Sequence, residues 1–217
     1  MKKKYSGFFI SIEGGDGVGK TTAIKSLEEK LKQNGINYYL TREPGGSKIS
    51  ESIRNIILDK NNKEEDPKTE ALLYAASRRQ HLVEIVIPRL EKGELVITDR
   101  YIDSSLAYQG YARGIGIKKV FLINSFAIDN YLPDLTFFLE LPPQEGLKRI
   151  SNNKRAEDRL DQEKESFHQK VYDGYHILIK KYRKRFVIVD ASKTPDEIAN
   201  FMFNKMLEIN LKWMKTT

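Results

Sequence analysis

The chain contains no cysteine in its 217 residues. That one absence excludes disulfides, thiolate metal sites and a cysteine nucleophile. Histidine is scarce too. His81, His168 and His176 have no ligand-like partners at metal-binding spacing, so no metal cluster is expected from them. His168 and His176 lie two helical turns apart and read as polar helix positions. No apolar run reaches transmembrane length, so no membrane association is expected. The basic start MKKKYSG is followed by no apolar core of signal-peptide length, and a cytoplasmic protein is expected. Repeats, low-complexity tracts and dividing linkers are also missing, which leaves a single domain.

Hydrophobic residues make up 40% of the chain and charged residues 31%, the balance of an ordinary globular fold. The net charge of +7 suits anionic partners, which could be nucleic acid or nucleotides. Strands are expected at 8–12, 37–41, 95–99, 135–141 and 186–190. Helices are expected at 21–34, with Gly35 as C-cap, and at 49–58 and 69–90, with Pro88 kinking or ending the last. Further helices are expected after Asp99-Arg100-Tyr101, at 120–128, from 144 into 149, at 162–182 and at the C-terminus. The acidic stretch DKNNKEEDP reads as a surface loop. Strands alternate with helices throughout, which predicts an α/β fold with a central parallel sheet flanked by helices in three layers.

The segment EGGDGVGKTT, residues 13–22, fits G-x-x-x-x-G-K-[ST] through Gly14, Gly19, Lys20 and Thr21. It lies between a strand and a helix, the context this phosphate-cradling loop needs. Gly14, Gly15, Gly17 and Gly19 let the backbone wrap phosphates, with Val18, Thr22 and the helix N-terminus completing the cradle. Lys20 suits the β and γ phosphates, and the Thr21 hydroxyl suits Mg²⁺. Asp99 ends an apolar strand, as a carboxylate placed beside that metal would, or else caps the strand and pairs with Arg100. A chance glycine turn is the plain alternative to the loop. A GTPase switch is disfavoured because NKRA at 153–156 lacks the Asp of N-K-x-D, and a motor ATPase usually needs a longer chain. Transfer to a small acceptor leads.

The strings DRYIDSSLAYQG (99–110), TREPGG (41–46), the phosphate loop and the lid-like EDRLDQE (157–163) together resemble the bacterial thymidylate kinases. The resemblance runs in order from residue 8 to the C-terminal helix. It implies a P-loop nucleoside-monophosphate-kinase-like fold, a single kinase domain with a lid at about 150–162. It also implies transfer of the ATP γ-phosphoryl group to dTMP with Mg²⁺, in a homodimer.

By the same resemblance Arg54 and Arg100 hold the acceptor phosphate, where fixed bidentate charge suits a dianion. On spacing alone, Arg54 would be a solvated helix face. Asp16 accepts from the acceptor's 3′-hydroxyl or else stabilises the loop. Tyr74 and Arg78, one turn apart on a helix, stack on the pyrimidine and donate to its O4, though core and surface roles are the plain readings. Ser105 and Gln109 complete base recognition, and Tyr108 disfavours ribose. Glu43 and Pro44 stand where the acceptor enters, with the bond between them expected cis. Arg149 lies against the adenine or is a helix C-terminal charge. Arg155 and Arg159, with Lys154 behind them, are the lid cations expected to supply catalytic charge, because Gly17 stands where another type of loop carries Arg. A solvated connector is the alternative there.

Two competing readings are a kinase for dUMP or UMP and a nucleic-acid ATPase. No nucleic-acid partner is expected, since the lysines are spread along the chain without the aromatic-interleaved stripe of a single-strand binder.

Overall fold

The structure is a computed structural model, and it describes residues 5–152, 159–160 and 162–210. Lys154 and Arg155 lie outside the described residues, as does most of the stretch expected to form a lid.

Five strands, β1 (Phe8–Gly14), β2 (Tyr39–Arg42), β3 (Leu95–Asp99), β4 (Leu135–Glu140) and β5 (Phe186–Asp190), form one sheet in the order β2-β3-β1-β4-β5. Every pairing is parallel. Residues of β1 alternate between its two faces, as the strand period of two requires. Phe8, Ile10 and Ile12 pack with α1 (Lys20–Gln33) and α9 (Pro195–Asn210) through Ile24, Leu27, Leu31 and Met202. Phe9 faces the other layer, where Leu82, Leu106, Val171 and Tyr175 cover it. Two covered faces explain why the strands read as continuous apolar runs. The expected three-layer α/β architecture is the one observed.

The remaining helices are α2 (Lys48–Leu58), α3 (Pro67–His81), α4 (Ile87–Glu91), α5 (Ile102–Ser105), α6 (Ile117–Ile128), α7 (Pro143–Asn152) and α8 (Glu165–Lys181). The helix expected at 69–90 differs in two ways. It starts earlier, because the Asp66 carboxylate accepts from the backbone N–H groups of Lys68 and Thr69, with Pro67 in the first turn. It is also interrupted by a π-helical stretch, Leu82–Val86, just before Pro88. Proline has no N–H and crowds the preceding turn, so a register change there accommodates it. A second π-helical stretch, Leu106–Ala112, follows α5. The helix expected from 162 begins at Glu165, after Arg159 and Glu163 have been drawn into ion pairs.

The order of strands places the C-terminal ends of β1, β2 and β3 side by side. The chain crosses from β3 to β4, past β1, at this edge. Such a switch point is where open α/β sheets bind ligands.

Candidate active site

The loop leaving β1 turns through Gly17 (φ 73°) and Gly19 (φ 91°) before α1 begins. A β-carbon on Gly17 would come within 2.1 Å of the Gly146 carbonyl oxygen. Both its backbone angle and its close approach to α7 therefore demand glycine. Lys20 is buried, and its Nζ donates to the Gly14 and Gly15 carbonyls at 3.2 and 2.9 Å. Burial, with Arg100 nearby, lowers its pKa to about 8.

Arg100 leaves β3 with φ 68°, a conformation that costs a non-glycine residue roughly 1–2 kcal/mol. Its amide is held by the Ile12 carbonyl at 2.9 Å. The turn aims the guanidinium back across the phosphate loop. There it donates to the Gly14 carbonyl at 2.9 Å, to Ser104 Oγ at 3.1 Å and to Asp16 Oδ1 at 2.7 Å. Asp16 Oδ2 accepts from Tyr108 Oη at 2.8 Å. Burial alone would raise the Asp16 pKa. The Arg100 charge and hydrogen bonds from neighbours outweigh it and hold the carboxyl well below its usual range. Asp16 is thus a fixed anion, tied at both oxygens.

Beneath this pair lies Glu13, fully buried and accepting from the Tyr101 amide (2.7 Å), Ser104 Oγ (2.6 Å) and Tyr175 Oη (2.9 Å). Burial and the neighbouring Asp103 push its pKa up to about 7, against the hydrogen bonds from Ser104 and Tyr175 and the charge of Arg100. Sequence reasoning missed Glu13, although a carboxylate at the end of the apolar run FFISI was a usable signal. It also missed Tyr175, on α8, and Ser104.

At the other end of the cleft, Arg78 is 2% exposed. Its Nε donates to Glu43 Oε2 at 2.6 Å, and its terminal nitrogens donate to Ser105 Oγ, the Asn124 side-chain oxygen and the Tyr101 carbonyl. His81 Nδ1 meets the second Glu43 oxygen at 3.0 Å, and its Nε2 meets Thr41. The Glu43–Pro44 bond is cis, as expected. Arg54, on α2, donates to the Pro44 carbonyl at 2.8 Å. Gln109 Nε2 donates to Glu70 Oε1 at 2.9 Å.

Four hollows open along this edge of the sheet; one lies by β2, lined by Thr21, Tyr39, Arg42 and Asp99, and the other three run from the acceptor side across the phosphate loop. The first of these three is walled by Glu43, Tyr74, Tyr108, Gln109 and Leu160, with Asp16, Arg54 and Arg100 at its inner end. The middle one, about 420 Å³, contains those same three residues together with Lys20, Thr21 and Asp99. The last, about 390 Å³, shares Gly17, Val18, Gly19 and Thr22 with the middle one and is closed by Arg149, Ala191 and Ile198. Arg149 is fixed there by the Ala191 carbonyl, with both terminal nitrogens at 3.2 Å. Nearly all the described residues singled out from the sequence come together in this way. Arg78 and Ser105 stand behind the first hollow, joined to it through Glu43.

Arg159 is the exception. Its guanidinium binds Glu70 (2.5 Å), Glu65 (2.6 Å) and the Ile57 carbonyl (2.9 Å). Buried acidic partners on and beside α3 capture it, which no linear spacing announced.

Asp99 Oδ1 is buried with no hydrogen-bond partner among the described residues. A buried carboxylate oxygen left unpaired is costly, and here it shares the middle hollow with Thr21. The residues present therefore fit a hard divalent cation. Among the described residues, no group of three His, Cys, Asp or Glu could hold a metal by itself.

A family model described as thymidylate kinase matches residues 12–202. The chain is 56% identical over 193 residues to the thymidylate kinase of Clostridium novyi, covering 88% of this chain and 94% of that protein. It is 50% identical over 208 residues to the thymidylate kinase of Bacillus licheniformis, covering 95% and 98%. Identity to the thymidylate kinase of Lactobacillus acidophilus is 54% over 194 residues, covering 88% and 90%. By that match over most of its length and by these identities, the chain belongs to the thymidylate kinase family.

Proposed function

We propose that the chain phosphorylates dTMP to dTDP with ATP as donor and Mg²⁺ as counter-ion, acting in the cytoplasm as a single P-loop kinase domain with a lid at about 150–162. The observation that carries this is the sharing of walls between hollows. Asp16, Arg54 and Arg100 belong to both the acceptor end and the middle, so an acceptor phosphate and a donor γ-phosphate would meet over the same two arginines.

In this reading the phosphate loop and Lys20 bind the donor phosphates, and Arg149 lies beside the donor nucleoside. Thr21 and Asp99 would hold Mg²⁺, which when bound offsets charge on the β and γ oxygens. Arg54 and Arg100 clamp the acceptor phosphate. One of its oxygens attacks the γ phosphorus while the bond to the bridging oxygen of ADP breaks. Little covalent work falls to the protein, so alignment and charge carry the catalysis. Arg155 and Arg159 are the lid cations of this reading.

Tyr74 stacks on the thymine and Arg78, backed by Ser105, donates to O4. Asp16, already fixed by Arg100 and Tyr108, accepts from the 3′-hydroxyl. Tyr108 fills the space a ribose 2′-hydroxyl would need. Measuring ADP release with dTMP, dUMP, UMP, dCMP, AMP and thymidine tests this. Preference for dTMP is expected, and equal rates with AMP would overturn the reading.

A homodimer goes with this reading. Helix α6 buries Val120, Asn124 and Ile128 but leaves Leu122 and Phe126 exposed, the latter by 90%. Apolar exposure of that size on one helix face suits a second copy. Phe126→Asp is expected to shift the species seen by light scattering from dimer to monomer.

A further inference from the structure

Glu70, Tyr74 and Arg78 follow one another at intervals of four on α3 and therefore form one row along that helix. The proposed function uses the second and third. The first is 1% exposed and is the most heavily bonded carboxylate of the acceptor end. Its Oε1 accepts from Gln109 Nε2 at 2.9 Å and from Arg113 Nε at 3.4 Å. Its Oε2 accepts from Arg113 at 3.2 Å and from Arg159 at 2.5 Å.

An ionised carboxylate can only accept hydrogen bonds, whereas a glutamine side chain has a donor end and an acceptor end of nearly equal shape. Contact with Glu70 therefore leaves one orientation for Gln109: the NH₂ toward Glu70 and the carbonyl oxygen on the other side. Gln109 also lines the acceptor hollow. A thymine or uracil ring offers N3–H to such a carbonyl, while a cytosine ring offers a bare N3 lone pair and meets repulsion.

We propose that Glu70 is a positioning residue that sets which end of the Gln109 amide faces the acceptor base, and thereby favours pyrimidines that carry a proton on N3. The two arginines make the device robust. Burial alone would raise the Glu70 pKa, but Arg113 and the hydrogen bonds from Arg159 and Gln109 outweigh it and lower it. Arg159 thereby supports the base end through Glu70. The inference rests on Gln109 reading the base.

The test compares kcat/KM for dTMP and dCMP in the full chain, as wild type, Glu70→Gln, Glu70→Asp and Gln109→Ala. A glutamine at 70 can donate as well as accept, so Gln109 becomes free to flip. The dTMP/dCMP ratio is expected to fall about tenfold in Glu70→Gln, the scale of one lost base-edge contact, while Arg78 preserves the rest. Glu70→Asp remains acceptor-only and is expected to hold the ratio within about threefold. A ratio unchanged in Glu70→Gln but lowered in Gln109→Ala would overturn the role of Glu70. A ratio unchanged in Gln109→Ala would overturn the reading of Gln109 itself. If Glu70→Gln does not fold, Glu70→Asp decides, and a loss as large as that of Gln109→Ala would sink the proposal.

Discussion

The two ends of the cleft are built in opposite ways. At the end proposed for the donor, the phosphate cradle is one continuous stretch, residues 14–22, whose backbone and one lysine shape it, with Arg149, Ala191 and Ile198 closing the hollow beyond. The end proposed for the acceptor is assembled from Asp16 of the phosphate loop, Glu43 after β2, Arg100 after β3, Arg54 on α2, Tyr74 on α3 and Tyr108 and Gln109 in the π-helical stretch after α5, held largely by ion pairs. Glu43 meets Arg78 across 35 residues and Asp16 meets Arg100 across 84. A phosphate chain is the same on every nucleotide, so backbone N–H groups suffice for it. A particular base needs donors and acceptors aimed from several directions, and each must be held by a buried partner. Generality is local here, and specificity is long-range.

The comparison breaks most visibly if the acceptor end is unpinned. Arg78→Met leaves the Glu43 carboxylate, 4% exposed, without its guanidinium. Removing one partner of a buried pair costs about 3–5 kcal/mol, so a clear drop in the urea midpoint is expected together with loss of dTMP binding. A stability unchanged from wild type would show that the pair does not pin this end.

At the donor end the effect is smaller and of another kind. Lys20 bonds only to the Gly14 and Gly15 carbonyls among the described residues. Lys20→Ala is expected to lower kcat by about 10²–10³, the scale of losing one preorganised charge in a transition state. Its melting temperature should stay near that of wild type. A variant that melts early but turns over normally would invert the comparison.

The smallest effect is on a slope. Glu13, under both ends, has its pKa raised from 4.5 to about 7 by burial. The folded state therefore holds this proton more tightly than the unfolded one. The stability it contributes is full below pH 4.5 and is lost as pH rises through about 7. Melting temperatures between pH 5 and 8 should decline less steeply for Glu13→Gln than for wild type. Parallel curves would remove Glu13 as the source.

The same division decides what was legible in the sequence. The donor end could be read residue by residue, because spacing along the chain is spacing in the loop. So could the sheet, whose five apolar runs are its five strands. The acceptor end was recognisable only through its resemblance to a family. Arg78 on spacing alone looked like a surface charge, and only its burial against Glu43 and Asn124 shows otherwise. Glu70 and Arg113 gave no signal, since charged residues inside helices usually face water. Arg159 belongs to a segment that resembles a lid, and its pairing with Glu65 and Glu70 could not be read from spacing. The start of α3 was misjudged for want of reading Asp66-Pro67 as a cap.

The most direct test exchanges the base at each end in turn, measuring kcat/KM for ATP against GTP with dTMP, and for dTMP against dCMP with ATP. The hollow proposed for the donor nucleoside is lined by Val18, Ala191, Pro195 and Ile198 and by the surface groups Asn152 and Lys193. The acceptor end instead sets Arg78 and Gln109 in buried networks. Exchanging the acceptor base should therefore cost at least about 10²-fold more than exchanging the donor base, as expected when buried polar groups are left unpaired. Equal costs at the two ends would contradict the account.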